Sequence, residues 1–555
     1  MSDHLPDHSF VFERSFPLRY LFLPIAFASL VAVWYCHASG ILNLHYDGVA
    51  RLNIARRVLD HPVPHYSHLG TVWLPLQQLL LLPFVQNDFL WSTGLAGSIV
   101  SALGFCAACY CLFELSCLLH GSEWAGVLSA AAFAVNPNIL YLQSTPLGEM
   151  LYIALFLAAL LALAKFAEEI SVRSAVACGG CVLLASLTRY DGWLLAPLGA
   201  GLVLTASLYN HKSTRQSVLA IAVFSIIATS GIAGWFAYNQ VVFKDPLAFL
   251  RGEYATHRNI SRIVEEAGLR QYPPQGQALQ ALAYYVEAAR LGAGDLLLAA
   301  GCLGFFTVLW WRSWKNPVLW SASLCFLLPP VFYIVNMARG TGIIFVPSLP
   351  PHGILNVRYT ALFIPGLCLF LPGIVNTLVH VVRQVGKLDR LSGITGAKFV
   401  LGAILAALLT SGIWQMRRSG PGPAFVREAY VNGFERKQTD YQAATFLRTH
   451  YDGQPILIDL GQHGIIPQQA RIRLINLVNE ATAWASALAR PSRFVGWIVE
   501  QEGDGVWKYP VNRLDLEERF EQVFEATGPF EKPLRIYRRI ERYEKGARSA
   551  LAPSP

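Results

Sequence analysis

The chain has 555 residues, 54% of them hydrophobic and 14% charged, with a mean hydropathy of +0.39 and a formal net charge of +8. Soluble domains are about a quarter charged, so this composition excludes a disordered chain and a disulfide scaffold and points to a polytopic membrane protein. The charge divides unevenly: residues 425–555 carry 18 Lys+Arg and 17 Asp+Glu, whereas residues 1–424 carry 26 and 19.

Taken in chain order, apolar runs long enough to cross a bilayer lie near 18–40, 92–118, 124–141, 150–168, 174–190, 191–208, 217–241, 292–311, 318–338, 359–382 and 397–416, eleven in all. The first follows Arg14 and Arg19. It exceeds the apolar core of a signal peptide and reads as an uncleaved anchor. The shorter run Val72 to Val85 carries Pro75, Gln77, Gln78 and Pro83 and reads as interfacial or re-entrant.

Loop charge then sets the sides. The connectors at 165–173, 209–216, 312–316 and 383–398 are basic and hold five lysines, against Lys244 alone on the opposite side before residue 425. This places residues 1–17 in the cytoplasm. It leaves the first loop (41–91), the large loop (242–291), the turn 339–358 and the region 425–545 external to the inner (cytoplasmic) membrane, or periplasmic. Arginine does not follow the rule cleanly, since Arg51, Arg189, Arg290, Arg339 and Arg358, among others, fall on the external side.

The region 425–545 alternates helical and strand patterns, with helices expected at 439–450, 481–489 and 514–524 and strands at 456–460, 494–499 and 534–540. It reads as a small α/β domain whose Gly461-Gln462-His463-Gly464 turn is either a binding loop or a plain strand end. Residues 546–555 read as a disordered tail. All ten cysteines lie in apolar stretches. Cys178 and Cys181 have no second pair to complete a metal site, so they read as small packing residues.

Four constellations carry charge toward the external face. On a helix spanning His45 to Asp60, residues Asn53, Arg56, Arg57 and Asp60 share a polar arc, while Asp47 and Arg51, four apart, turn away from bulk water. Asp47 is there either a site carboxylate or an N-terminal cap. Glu149 opens a long apolar helix, where the dipole favours an anion and lipid makes an idle carboxylate costly. Arg189 with Asp191, and Arg358 with Tyr359, set guanidinium groups beside aromatics at the same surface. Arginine grips phosphate bidentately, but interfacial anchoring and, for Arg189 and Asp191, an internal ion pair explain the first set equally well. Finally His61, His65 and His68 follow Asp60 at spacings that suit metal ligands, although Pro62 and Pro64 oppose one regular helix.

An Asp just after the first span, the Pro-containing segment Thr71-Val72-Trp73-Leu74-Pro75-Leu76, an acidic residue in the second external loop and a late Arg358-Tyr359 before a Pro-containing span together resemble the GT-C superfamily of integral-membrane glycosyltransferases. The similar branch is that of protein O-mannosyltransferases and lipid A aminoarabinose transferases (glycosyltransferase family 39-like), over about residues 40–420. The resemblance implies a GT-C-like catalytic domain over 18–420, with about eleven transmembrane helices, external juxtamembrane helices and the α/β domain outside the membrane. It implies a hexosyl or pentosyl donor on a polyprenyl monophosphate, with Asp47 as general base and inversion at the anomeric carbon. Arg358, helped by Arg51, Arg189 or Arg339 and flanked by Tyr359, would hold the departing phosphate, and Glu149 would orient the acceptor or a cation. Relatives often carry Asp-Glu where this chain has Asp47-Gly48, so no cofactor is required by the motifs. A divalent cation stays open, with Asp47, Glu149, His65 and His68 as candidate ligands. Expected partners are the lipid-linked donor, membrane lipids and an acceptor that is a protein, lipid or glycan, with no nucleic acid. The rival class is a transporter or flippase of an amphiphile, which would place its charges at the midplane.

Overall fold

The structure, a computed structural model, describes residues 17–168, 170–209, 214–252, 255–311, 317–384, 403–408, 410–414, 422–479, 483–509 and 511–540. Most of the expected N-terminal segment, the connector 312–316, much of 209–216 and 383–398, part of the run 397–416 and the tail lie outside the described residues.

Helix α1 (Arg19–Ala38) leads to the short α2 (Tyr46–Arg57) and α3 (Leu76–Val85), then to α4 (Leu95–His120), α5 (Glu123–Ala134) and α6 (Pro137–Leu142). The long α7 (Glu149–Glu168) is followed by α8 (Val172–Ser186), α9 (Leu195–Tyr209) and α10 (Thr214–Phe243). After shorter helices come α11 (Ala278–Ala293), α12 (Asp295–Trp311), α13 (Pro317–Arg339) and α14 (Ile364–Gln384).

The expected count of eleven spans is not confirmed by the described residues. Among the described residues, six helices are long and apolar enough to cross a membrane, or seven if the bent pair α11–α12 counts as one. Local chemistry interrupts several of the expected runs. The run 124–141 breaks at Asn136, whose Oδ1 accepts the N–H groups of Asn138 and Ile139 at 2.9 and 3.2 Å and so caps a new helix instead of continuing α5. The pair α11–α12 turns through 112° at Gly294, which sits at φ +89°, a conformation that glycine adopts without steric cost. The run 174–190 yields only the 15 residues of α8. The run Val72 to Val85 yields the 10 residues of α3, which buries Gln77, Gln78, Leu81 and Val85.

The spans pack around α7, whose flanks meet α4 and α8. Just before α7, a Cβ at Gly97 would lie 2.2 Å from Pro146 Cβ, so only glycine admits the segment leading to Glu149. Ser98 and Ser101 hydroxyls donate to the Ser144 and Thr145 carbonyls at 2.5 and 2.7 Å and fix it.

Beyond the spans, α15 (Ala424–Ala429) and α16 (Gln438–His450) precede a five-stranded sheet ordered β2-β1-β3-β5-β4. Strands β1 (Ile456–Leu457), β2 (Leu477–Val478) and β3 (Trp497–Gln501) run parallel, while β4 (Phe520–Gly528) and β5 (Glu531–Arg539) add an antiparallel hairpin. The helix expected at 514–524 stops at Arg519, because Phe520 onward pairs with β5. Cross-strand pairing there overrides the local helical pattern.

Candidate active site

Three backbone devices bring distant charges together beneath α2. Gly148 and the pinned loop before it deliver Glu149 at the first turn of α7. Arg189 follows α8 in extended conformation, just ahead of a short 3-10 turn. Asn356 adopts a left-handed φ of +56°, which Asn tolerates better than most side chains. That turn aims the N–H groups of Asn356 and Arg358 at the two oxygens of Glu428, both at 3.0 Å.

The Arg358 guanidinium is the hub. Its Nη2 donates to Asp47 Oδ2, its Nη1 to Glu428 Oε1, and its Nε to Glu149 Oε1 at 3.3 Å. Its Nη1 also lies 3.3 Å from His45 Nε2. Burial works against the Arg358 charge, but Glu428 and Asp47 outweigh it and hold its pKa above the ordinary arginine value. Burial, reinforced by Arg358, keeps His45 well below its usual pKa, so a neutral imidazole accepts from the guanidinium.

Arg189 forms a second node. It donates to Asp191 Oδ1 at 3.2 Å, to Glu149 Oε1 at 3.4 Å and to the Tyr333 hydroxyl at 2.8 Å. The Tyr359 ring lies 5.3 Å from both the Arg189 and the Arg358 guanidinium carbons and stacks on Tyr333. Arg189 and Asp191 thus form an internal ion pair, one of the readings open for them.

Arg51 differs from its neighbours. It is buried, with its guanidinium 4.8 Å from the centre of the Trp73 ring, and Nε and Nη1 have no hydrogen-bond partner among the described residues. Burial lowers its pKa, against the opposing pull of Glu149 and Asp47. Glu149 Oε2 and Gln77 Oε1 are also buried and unpaired, and a Cβ on Gly148 would touch Gln77 Oε1 at 2.5 Å and lie 3.5 Å from the Arg51 guanidinium carbon. Unpaired buried polar atoms are rare in folded proteins and call for an explanation.

Exposure separates one member from the rest. The Asp47 side chain is 41% exposed, whereas those of Arg358, Glu149 and Glu428 are 4%, 4% and 0%. The expectation that Asp47 and Arg51 both avoid bulk water therefore holds for Arg51 and fails for Asp47. The polar arc of α2 is also no free surface: Asn53 and Arg56 are buried, Asn53 donating to the Gly464 carbonyl and Arg56 to Asp60, the Val85 carbonyl and Asp88.

Arg339 ends α13 exposed, and no hydrogen bond or ion pair among the described residues joins it to the cluster. His65 and His68 stand apart as well. The His65 ring packs at a tilt against Tyr66 and its Nδ1 accepts the Ser67 N–H, while the His68 ring packs at a tilt against His61, centroids 3.9 Å apart. Among the described residues no group of three or more His, Cys, Asp or Glu is arranged to hold a metal ion, and Asp47 and Glu149 are bridged by a guanidinium instead. The cysteines are all free. Sequence reasoning missed Glu428 and gave His45 no role. The available signal for Glu428 was a lone carboxylate in Ala424-Phe425-Val426-Arg427-Glu428-Ala429, a short helix directly after the last apolar run.

No family model and no curated protein matches the sequence. Among solved structures, ArnT from Cupriavidus metallidurans bound to undecaprenyl phosphate is similar at 13% identity and a TM-score of 0.52, covering 94% of this chain and 98% of that one. The apo form of the same protein gives 14% identity and 0.51 over 94% and 98%. The Archaeoglobus fulgidus oligosaccharyltransferase in complex with Zn and sulfate gives 12% and 0.48, over 93% and 72%. ArnT belongs to the GT-C superfamily, and this chain has the GT-C fold, that of a multi-pass membrane protein.

Proposed function

We propose that this chain is a membrane glycosyltransferase that moves a sugar from a polyprenyl-monophosphate carrier to an acceptor hydroxyl at the external face of the cytoplasmic membrane. The observation that carries the reading is Asp47: a half-exposed carboxylate whose Oδ2 is tied to a buried arginine and whose Oδ1 has no hydrogen bond among the described residues. The undecaprenyl phosphate in the similar ArnT structure supports the choice of carrier.

The step balances as follows. The acceptor O–H gives its proton to Asp47 Oδ1, as general base. The acceptor oxygen forms a bond to the anomeric carbon from the side opposite the carrier, and the bond from that carbon to the phosphate oxygen breaks. The electron pair leaves on the polyprenyl phosphate, and the anomeric configuration inverts.

The phosphate-holding part falls to Arg51. Every nitrogen of the Arg358 guanidinium already faces a carboxylate, so Arg358 aims Asp47, whereas Arg51 keeps two N–H-bearing nitrogens unpaired. Charge-assisted bonds from such donors grow stronger as negative charge develops on the leaving oxygen. Trp73 covers this guanidinium and must move for the headgroup to enter. Glu149 Oε2, likewise unpaired, accepts a hydroxyl of the sugar or the acceptor.

The test uses the purified full chain in lipid nanodiscs with a panel of undecaprenyl-phosphate-linked hexoses and pentoses, reading release of undecaprenyl phosphate. Release from at least one donor, abolished by Asp47→Asn with undecaprenyl phosphate binding retained, is the expected result. Undiminished release in Asp47→Asn removes the base assignment, and no binding of the lipid at all removes the carrier.

A further inference from the structure

Behind α2, on the side away from Arg358, lies a buried ion triple that the reaction does not use. His463 is fully buried, with Nδ1 2.7 Å from Asp440 Oδ1 and Nε2 3.3 Å from Asp504 Oδ2. Asp504 is itself held by the N–H groups of Gln501 and Trp507 at 2.8 and 2.7 Å. His463 belongs to the Gly461-Gln462-His463-Gly464 turn, and Asp459 at its base accepts the Gln462 and His463 N–H groups.

The outer rim of this turn grips the site helix. The Tyr46 hydroxyl donates to the Gly461 carbonyl at 2.6 Å, and Asn53 Nδ2 donates to the Gly464 carbonyl at 2.9 Å. Tyr46 and Asn53 are seven residues apart, two helical turns along one face, and they bracket Asp47 and Arg51 in sequence. Trp91 Nε1 donates to Asn53 Oδ1 at 3.0 Å, and Gln468 Nε2 reaches the Trp91 carbonyl at 2.9 Å, so the grip extends beyond a single bond. A buried ion triple is a poor source of stability compared with apolar packing; what it does supply is one defined geometry for the turn that carries it.

We propose, resting on the reading of Asp47 and Arg51 above, that His463 is a positioning residue. Locked between Asp440 and Asp504, it shapes the 461–464 turn, which holds α2 at Tyr46 and Asn53 and so sets the rotation at which Asp47 meets Arg358 and Arg51 meets the carrier phosphate. The C-terminal region is in this sense part of the site, acting through α2.

Hydrogen–deuterium exchange on the full chain in nanodiscs tests this without any substrate. His463→Gln is expected to speed exchange of the amides of 46–57 by about tenfold or more, with those of 149–168 unchanged. Because that variant risks misfolding, Tyr46→Phe is the second arm. It keeps the ion triple and removes one link to the turn, and it is expected to loosen 46–57 alone, with exchange across 438–539 as in the wild type. Unchanged exchange of 46–57 in both variants, or loosening confined to 438–539 in His463→Gln, overturns the proposal. A parallel titration with undecaprenyl phosphate should show weaker binding by about threefold or more in Tyr46→Phe, through displaced Arg51. If the wild type does not bind that lipid, the functional reading fails while the exchange result still decides the positioning role.

Discussion

Asp47 and Arg358 stand 311 positions apart in the chain and are joined directly, Nη2 of the arginine donating to Oδ2 of the aspartate. The contact links α2 to the turn before α14, and Glu428 from α15 completes it. Three separate stretches of sequence must therefore be in place before the exposed oxygen of Asp47 is oriented.

Asp47→Asn keeps the size of the side chain and removes its basicity. Release of undecaprenyl phosphate from the accepted donor should fall by roughly 10²–10⁴-fold. Thermal unfolding should move little, since this side chain is 41% exposed.

Arg358→Ala should act mainly on the fold. It strips the buried Glu149 and Glu428 of their shared partner, and an uncompensated buried charge costs about 3–5 kcal/mol. Arg358→Lys restores the charge but cannot reach three carboxylates at once, so its unfolding temperature should lie between those of wild type and Arg358→Ala, with release still impaired.

Arg51→Gln removes two unpaired cationic donors. Binding of undecaprenyl phosphate should weaken by about ten- to a hundredfold, the range expected for charge-assisted bonds. Folding should be preserved or improved, because the wild-type guanidinium is buried with two nitrogens unpaired.

Gly433→Ala should be disruptive for a purely steric reason. A Cβ there would fall 1.6 Å from the Leu44 carbonyl oxygen, which belongs to the backbone and cannot swing aside. A cost of about 1–3 kcal/mol is expected from the forced shift. The adjacent His45 would be displaced from Arg358, so release should fall together with the unfolding temperature.

His463 makes stability depend on pH. Burial disfavours its charge, yet Asp440 and Asp504 push its pKa up to about 9, above the ordinary 6.5. A pKa raised by folding stabilises fully below pH 6.5, and that contribution fades as pH climbs through about 9. The gap corresponds to roughly 3 kcal/mol. Unfolding temperature, followed from pH 6 to pH 10, should decline over this window in the wild type, and the decline should be much smaller in His463→Gln.

Much of the site was legible from order along the chain. Asp47, Arg51, Glu149, Arg189 and Arg358 were singled out because charged residues in an apolar chain gather where they are paired or used, and the structure sets all five in one cluster. Glu428 was hidden because it lies past the apolar runs, in sequence of ordinary polarity where a carboxylate attracts no notice. The breaks within two apolar runs were missed for a related reason: apolarity says that a stretch is buried, not that it is continuous, and a single Asn136 or Gly294 redirects the chain. In the C-terminal region the error at 514–524 came from a pattern compatible with either period until β5 supplied a partner.

The ionic cluster has one more consequence under the proposed reaction. It contains three arginines, at 51, 189 and 358, and four carboxylates, at 47, 149, 191 and 428. The donor is a phosphodiester with a single negative charge, while the spent carrier is a monoester whose second ionisation lies near pH 6. Once Asp47 has passed on the proton it took from the acceptor, the surplus of carboxylate is restored and the cluster tolerates the first better than the second. The same charges that aim the base would thus hasten departure of the emptied lipid, making turnover a matter of electrostatic ejection as much as of attack.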